Sequence, residues 1–162
     1  MTPEKVLPDY HLFHGVQQRA KDEAMKVTAR RRPTGTFQHD VKVRDHHVSA
    51  DEPHETGGDD SAPNPQELLA VSLASCTAIT MEMYAQRKGW DIGSVEVSCE
   101  YTPADRGCPT RFQLVLRLPD GLSEEQLDKL QAIAAKCPVH RTLDGEVMFD
   151  ERVELIKAPQ PV

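Results

Sequence analysis

Residues 63–90 read PNPQELLAVSLASCTAITMEMYAQRKGW, small or apolar at almost every position from Leu68 to Met83, with a single thiol, Cys76, at the centre. The stretch opens with helix-start signals: Asn64 as N-cap, Pro65 at the first helical position, and Glu67 at the third, where its carboxylate reaches back to the N-cap amide. It closes on Arg87, Lys88 and Gly89, cations and a glycine that suit a helix C-terminus. A helix over 65–88 would span roughly 36 Å at 1.5 Å per residue. A compact chain of this size has a radius of gyration of only about 15 Å, so such a helix is expected to cross the whole body at its centre. Being small or apolar nearly all round, it needs cover on every face. Glu82, Arg87 and Lys88 arrive too soon for a bilayer span. A second subunit is the natural source of cover, which predicts a homodimer with these helices near its axis.

On either side of this helix the residue pattern has a period of two. MKVTARR (25–31) and TFQHDVKV (36–43) have the branched, alternating character of strands, with Arg32, Pro33, Thr34 and Gly35 as the turn, and HHVSAD (46–51) adds a short third strand. DEPHETGGDDSAPNP (51–65), rich in glycine, proline and acid, reads as a surface loop. After Trp90, SVEVSCEY places Val95, Val97, Cys99 and Tyr101 on one face, and RFQLVLRL does the same with Phe112, Leu114, Leu116 and Leu118. TPADRGCPT joins them as a hairpin. LSEEQLDKLQAIAAKC is amphipathic, with Ser123 and Gln126 as capping box and Leu127, Leu130, Ile133 and Ala134 as buried stripe. It stops at Cys137 before Pro138, which can open a further helical turn. EVMFDERVELI (146–156) alternates as a last strand. The sum is one α+β domain over residues 25–162, preceded by a polar arm over residues 1–24.

Composition narrows the function classes. The 162 residues carry a formal net charge of -7, which repels phosphate backbones, so nucleic acid is not an expected partner despite the basic run Arg30, Arg31 and Arg32. The first fifteen residues lack a continuous apolar stretch of the secretory kind, and a cytoplasmic, thiol-reducing setting is expected. There, four cysteines point to thiol chemistry or metal binding rather than to a disulfide framework.

Each thiol has a plain reading beside a chemical one. Cys99 shares the inner face of a strand and reads as packing, and Cys108 sits in a hairpin loop. Cys137 lies at a helix boundary with Lys136, His140 and Arg141 near in sequence, and amide donors and cations of this kind favour thiolate. Cys76 alone would be core packing, because nothing charged accompanies it locally. A metal site would have to combine Cys137 and His140 with His46, His47 or His54, and one C-x-x-H pair falls short of the four ligands zinc usually takes. No metal is expected.

The long helix, followed sixty-one positions after its cysteine by KCPVHRTL, and preceded by the DEP and glycine-rich acidic loop, resembles the OsmC/Ohr family of osmotically inducible and organic-hydroperoxide-resistance proteins over about residues 26–156. The resemblance implies an intertwined α+β homodimer with sites at the subunit interface, antiparallel sheets around central helices, and no metal or organic cofactor. It implies Cys76 as the peroxidatic thiol, attacking an organic hydroperoxide, and Cys137 as the resolving thiol, with a small dithiol or other thiol as reductant. Where well-defined members place a glutamate ten positions before the peroxidatic cysteine, this chain has Gln66, with Glu67 one step later; Arg30, Arg31 and Arg32 are the candidates for the arginine that contacts the thiolate. In this the chain is similar to the branch called simply OsmC-like. The rival reading is a non-catalytic module that holds a lipophilic small molecule in an apolar interface pocket.

Overall fold

The structure is a computed structural model that describes residues 24–155. Residues 1–23, almost all of the arm expected above, and 156–162 lie outside the described residues.

Strands β1 (Val27–Arg31), β2 (His39–Val43) and β3 (His46–Ala50) form an antiparallel meander. Val27 pairs with Val43, and Val43 in turn with His46 across a two-residue turn. The loop that follows holds one short 3-10 turn (His54–Thr56) and is organised by a buried carboxylate. Asp51, 2% exposed, accepts from the Ser61 N–H at 3.0 Å, the Ser61 hydroxyl at 2.8 Å and the Glu52 N–H at 2.9 Å. Burial alone would raise its carboxyl. The donors outweigh burial and hold it below the ordinary carboxylate range. Gly58 lets the chain close under this carboxylate, since a β-carbon there would collide with the Glu52 carbonyl.

Helix α1 (Pro65–Lys88) starts as its sequence dictates. Asn64 Oδ1 accepts from Glu67 N at 2.8 Å while the Glu67 carboxylate accepts from Asn64 N at 2.8 Å, a complete capping box. It ends on Gly89 in the left-handed region, φ 67°. Strands β4 (Glu96–Thr102) and β5 (Arg111–Arg117) pair antiparallel, with Tyr101 opposite Phe112 and Cys99 opposite Leu114. Helix α2 (Glu124–Ala134) carries the Ser123/Gln126 capping box, and α3 (Pro138–Leu143) follows at once.

The core lies where α1 packs on α2 and the β4–β5 hairpin: Met81, Tyr84, Ala85, Ile92, Leu130, Ile133 and Ala134. Leu127, expected in the buried stripe of α2, is 38% exposed at its edge.

Among the described residues only one flank of α1 is covered. Leu73, Thr77, Thr80, Met81, Tyr84 and Ala85 are buried, whereas Val71 is 55% and Ile79 53% exposed. By length and composition this helix passes as long and apolar enough to cross a membrane, contrary to the expectation drawn from Glu82, Arg87 and Lys88. A third of its most apolar window is buried inside the chain. The last expected strand does not form: residues 146–155 are without regular structure and Met148, Phe149, Val153 and Leu155 are more than 80% exposed. Alternation alone makes no strand, because its backbone groups need an edge to pair with and this segment lies on none among the described residues.

Candidate functional site

Two thiols far apart in sequence meet. Cys76 projects from the middle of α1, and Cys137 sits at the α2–α3 junction, where Pro138 stops α2 and fixes the first turn of α3. Cys137 is fully buried and is the N-cap of α3, its sulfur accepting from His140 N at 3.3 Å. The buried Thr77 hydroxyl, one residue after Cys76, lies within donating reach of that sulfur at 3.5 Å. The half-buried Cys76 thiol lies beside Cys137, with the Val139 N–H and the Thr80 hydroxyl near it.

The balance on Cys76 is against ionisation. Burial pushes its thiol up and the neighbouring Cys137 adds to the rise; the Val139 N–H and the Thr80 hydroxyl pull the other way without cancelling it. All four cysteines are free thiols.

The supporting residues expected from the sequence lie elsewhere. Glu67 is occupied by the cap, and nine residues before Cys76 it sits about 180° around the helix from it. Gln66 lines an open groove of about 860 Å³ between the start of α1 and β4, with Ala70, Ala74, Cys99 and Tyr101. Arg30 and Arg31 lie in β1. Arg32, just after β1, is paired with Asp40 at 2.6 Å and donates to Ser49 at 3.0 Å across the sheet, so the Asp40 carboxylate already occupies its guanidinium. None of the three is among the groups that shift Cys76 within the chain. The C-x-x-H pair is a capping arrangement, the contact to Cys137 coming from the His140 backbone rather than its ring. Among the described residues no three His, Cys, Asp or Glu side chains converge.

Thr77 and Thr80 were missed in the sequence. Both are buried hydroxyls beside the sulfurs, and the available signal was two polar β-branched residues, three apart, within an otherwise small and apolar run.

A sequence model of the family described as OsmC-like protein matches residues 58–152, more than half of the chain and both cysteines. The chain belongs to the OsmC-like protein family. No curated protein matches its sequence. Among solved structures, the OsmC-like protein of Mycoplasma pneumoniae is similar with a TM-score of 0.63 at 19% identity, covering 76% of this chain and 89% of that one. An organic hydroperoxide resistance protein OsmC of Legionella pneumophila gives 0.56 at 22%, covering 76% and 90%. The organic hydroperoxide resistance protein OhrB of Bacillus subtilis gives 0.53 at 20%, covering 76% and 92%. These likenesses establish the OsmC-like mixed α/β fold with antiparallel sheets.

Proposed function

We propose that this OsmC-like chain is a two-thiol peroxidase that reduces organic hydroperoxides, acting in the cytoplasm as a homodimer. The observation that carries the reading is the meeting of Cys76 with Cys137 across sixty-one residues of sequence. In the first step the Cys76 thiolate attacks a peroxide oxygen, the O–O bond breaks, Cys76 becomes a sulfenic acid, and the leaving alkoxide takes up the proton that the thiol gave up and departs as an alcohol. In the second, the Cys137 sulfur attacks that of Cys76, the S–O bond breaks, and water leaves with the proton of the second thiol. A small dithiol or other thiol then restores both cysteines, and no metal or organic cofactor enters.

The exposed apolar face of α1, the fully exposed β1, and the unpaired apolar residues of 146–155 support the dimer, since a second copy would cover them. It would bring the α1 helices together at its centre. A second copy is also the natural source of a cation for Cys76, from Arg30 or Arg31, which are exposed. Peroxide consumption tests the reading. Cys76→Ser should abolish it, and Cys137→Ser should consume about one equivalent and stall as sulfenic acid or overoxidise; turnover by both variants at the parent's rate would remove it.

One observation favours the second reading, a non-catalytic module for a lipophilic small molecule: the Cys76 thiol is pushed up by burial, with no arginine among the described residues to counter it. Such a module would bind an apolar fluorophore yet show no peroxide-dependent thiol loss.

A further inference from the structure

The sulfur of Cys137 is shielded from water, so its reactivity is set by the donors that touch it. Among the described residues, and besides the neighbouring Cys76, two are in reach: the His140 backbone N–H at 3.3 Å and the Thr77 hydroxyl at 3.5 Å. The first belongs to the backbone and is fixed by the turn of α3. The second is a side-chain choice. Thr77 is 1% exposed, on the flank of α1 that faces α2 and α3, and its single hydroxyl proton has two acceptors in reach: the nearer Leu73 carbonyl, at 2.8 Å, holds it while Cys137 is a thiol, and a charged Cys137 sulfur draws it over. That carbonyl lies four residues back in the same helix and already serves the backbone N–H of Thr77. The hydroxyl is therefore not needed for the helix. A valine of nearly the same shape would keep the helix and its packing and remove only the donor.

We propose that Thr77 is a positioning residue for Cys137, aiming its sulfur at Cys76 and stabilising the charge it carries when it attacks. The inference rests on the two-thiol reading of the site and goes beyond it by naming the group that governs the second thiol. Hydrogen bonds to charged groups are worth about tenfold or more in the population of the charged form. A more basic thiolate is also a better nucleophile, which returns part of the loss. Replacing the donor by a methyl group should then slow attack by Cys137 about threefold to tenfold.

An aromatic disulfide, 5,5′-dithiobis(2-nitrobenzoate), reads this step without any peroxide. In a Cys99→Ser, Cys108→Ser background the half-buried Cys76 attacks the reagent, releasing one aromatic thiolate and forming a mixed disulfide. Cys137 then attacks the Cys76 sulfur, expels the second aromatic thiolate, and leaves a Cys76–Cys137 disulfide. The second release should be about threefold to tenfold slower in Thr77→Val than in the parent. Thr77→Ser, which keeps the hydroxyl, should restore it. If Thr77→Val fails to fold, Thr77→Ala against Thr77→Ser makes the same comparison. A second release as fast in Thr77→Val as in the parent, a Thr77→Ser protein as slow as the valine or alanine variant, or no second release in the parent would overturn the proposal. The peroxidase reading fails separately: a parent that releases both aromatic thiolates, yet loses no thiol to cumene hydroperoxide, sinks that reading and leaves the role of Thr77 standing.

Discussion

At the scale of residues, Cys76 is governed by its neighbours in space rather than in sequence. Burial raises its thiol, and so does the neighbouring Cys137. Removing Cys137 leaves burial opposed by the Val139 N–H and the Thr80 hydroxyl, so the Cys76 value should fall. Its thiolate fraction at a given pH should therefore rise. Iodoacetamide should modify Cys76 faster at pH 7 in Cys137→Ala than in the parent, with the whole rate profile displaced to lower pH; an unmoved profile would show that the two sulfurs do not sense each other. Little of this was legible in the sequence. A lone cysteine between LAS and TAIT shows no partner, and the link to Cys137 came from resemblance, because proximity across sixty-one residues is a property of the fold. Glu67, by contrast, was fully legible as a cap, since its partner lies three residues away.

The elements show the same division between local and remote causes. Both long helices begin at the capping boxes that the sequence announces, Asn64 with Glu67 and Ser123 with Gln126, and the β4–β5 hairpin follows from its alternation. The 146–155 segment misleads because its alternation is real while its pairing edge is absent from the described chain. The acidic loop before α1 was legible as a loop but not as an ordered one, because its order comes from one buried carboxylate receiving donors up to ten residues away. Asp51→Ala should speed hydrogen exchange at the Glu52 and Ser61 amides by about tenfold or more at neutral pH. The folded value of Asp51 is depressed, so its contribution is present above the unfolded carboxylate value of about 3.9 and is lost as pH falls through the lower folded value. The parent loop should accordingly loosen only below about pH 4, and an Asp51→Ala loop as protected as the parent's would show that this carboxylate does not organise it.

For the whole molecule, the exposed apolar face of α1 is the feature that one chain leaves unresolved, with Val71, Ile79 and Met83 open to solvent. A dimer should scatter light as twice the mass of one chain, and Ile79→Glu, which would bury a charge at the contact, should shift it toward the monomer. A parent that scatters as a monomer at working concentration would contradict the dimer. The fold brings Cys76 and Cys137 together, and under the proposed function peroxide oxidises them as a pair. For this test the reduced parent is mixed with one equivalent of cumene hydroperoxide, quenched with an alkylating agent, and its peptides are weighed. A peptide pair joined through Cys76 and Cys137 should form within the time that the peroxide disappears. Peroxide left intact with both cysteines alkylated would contradict it.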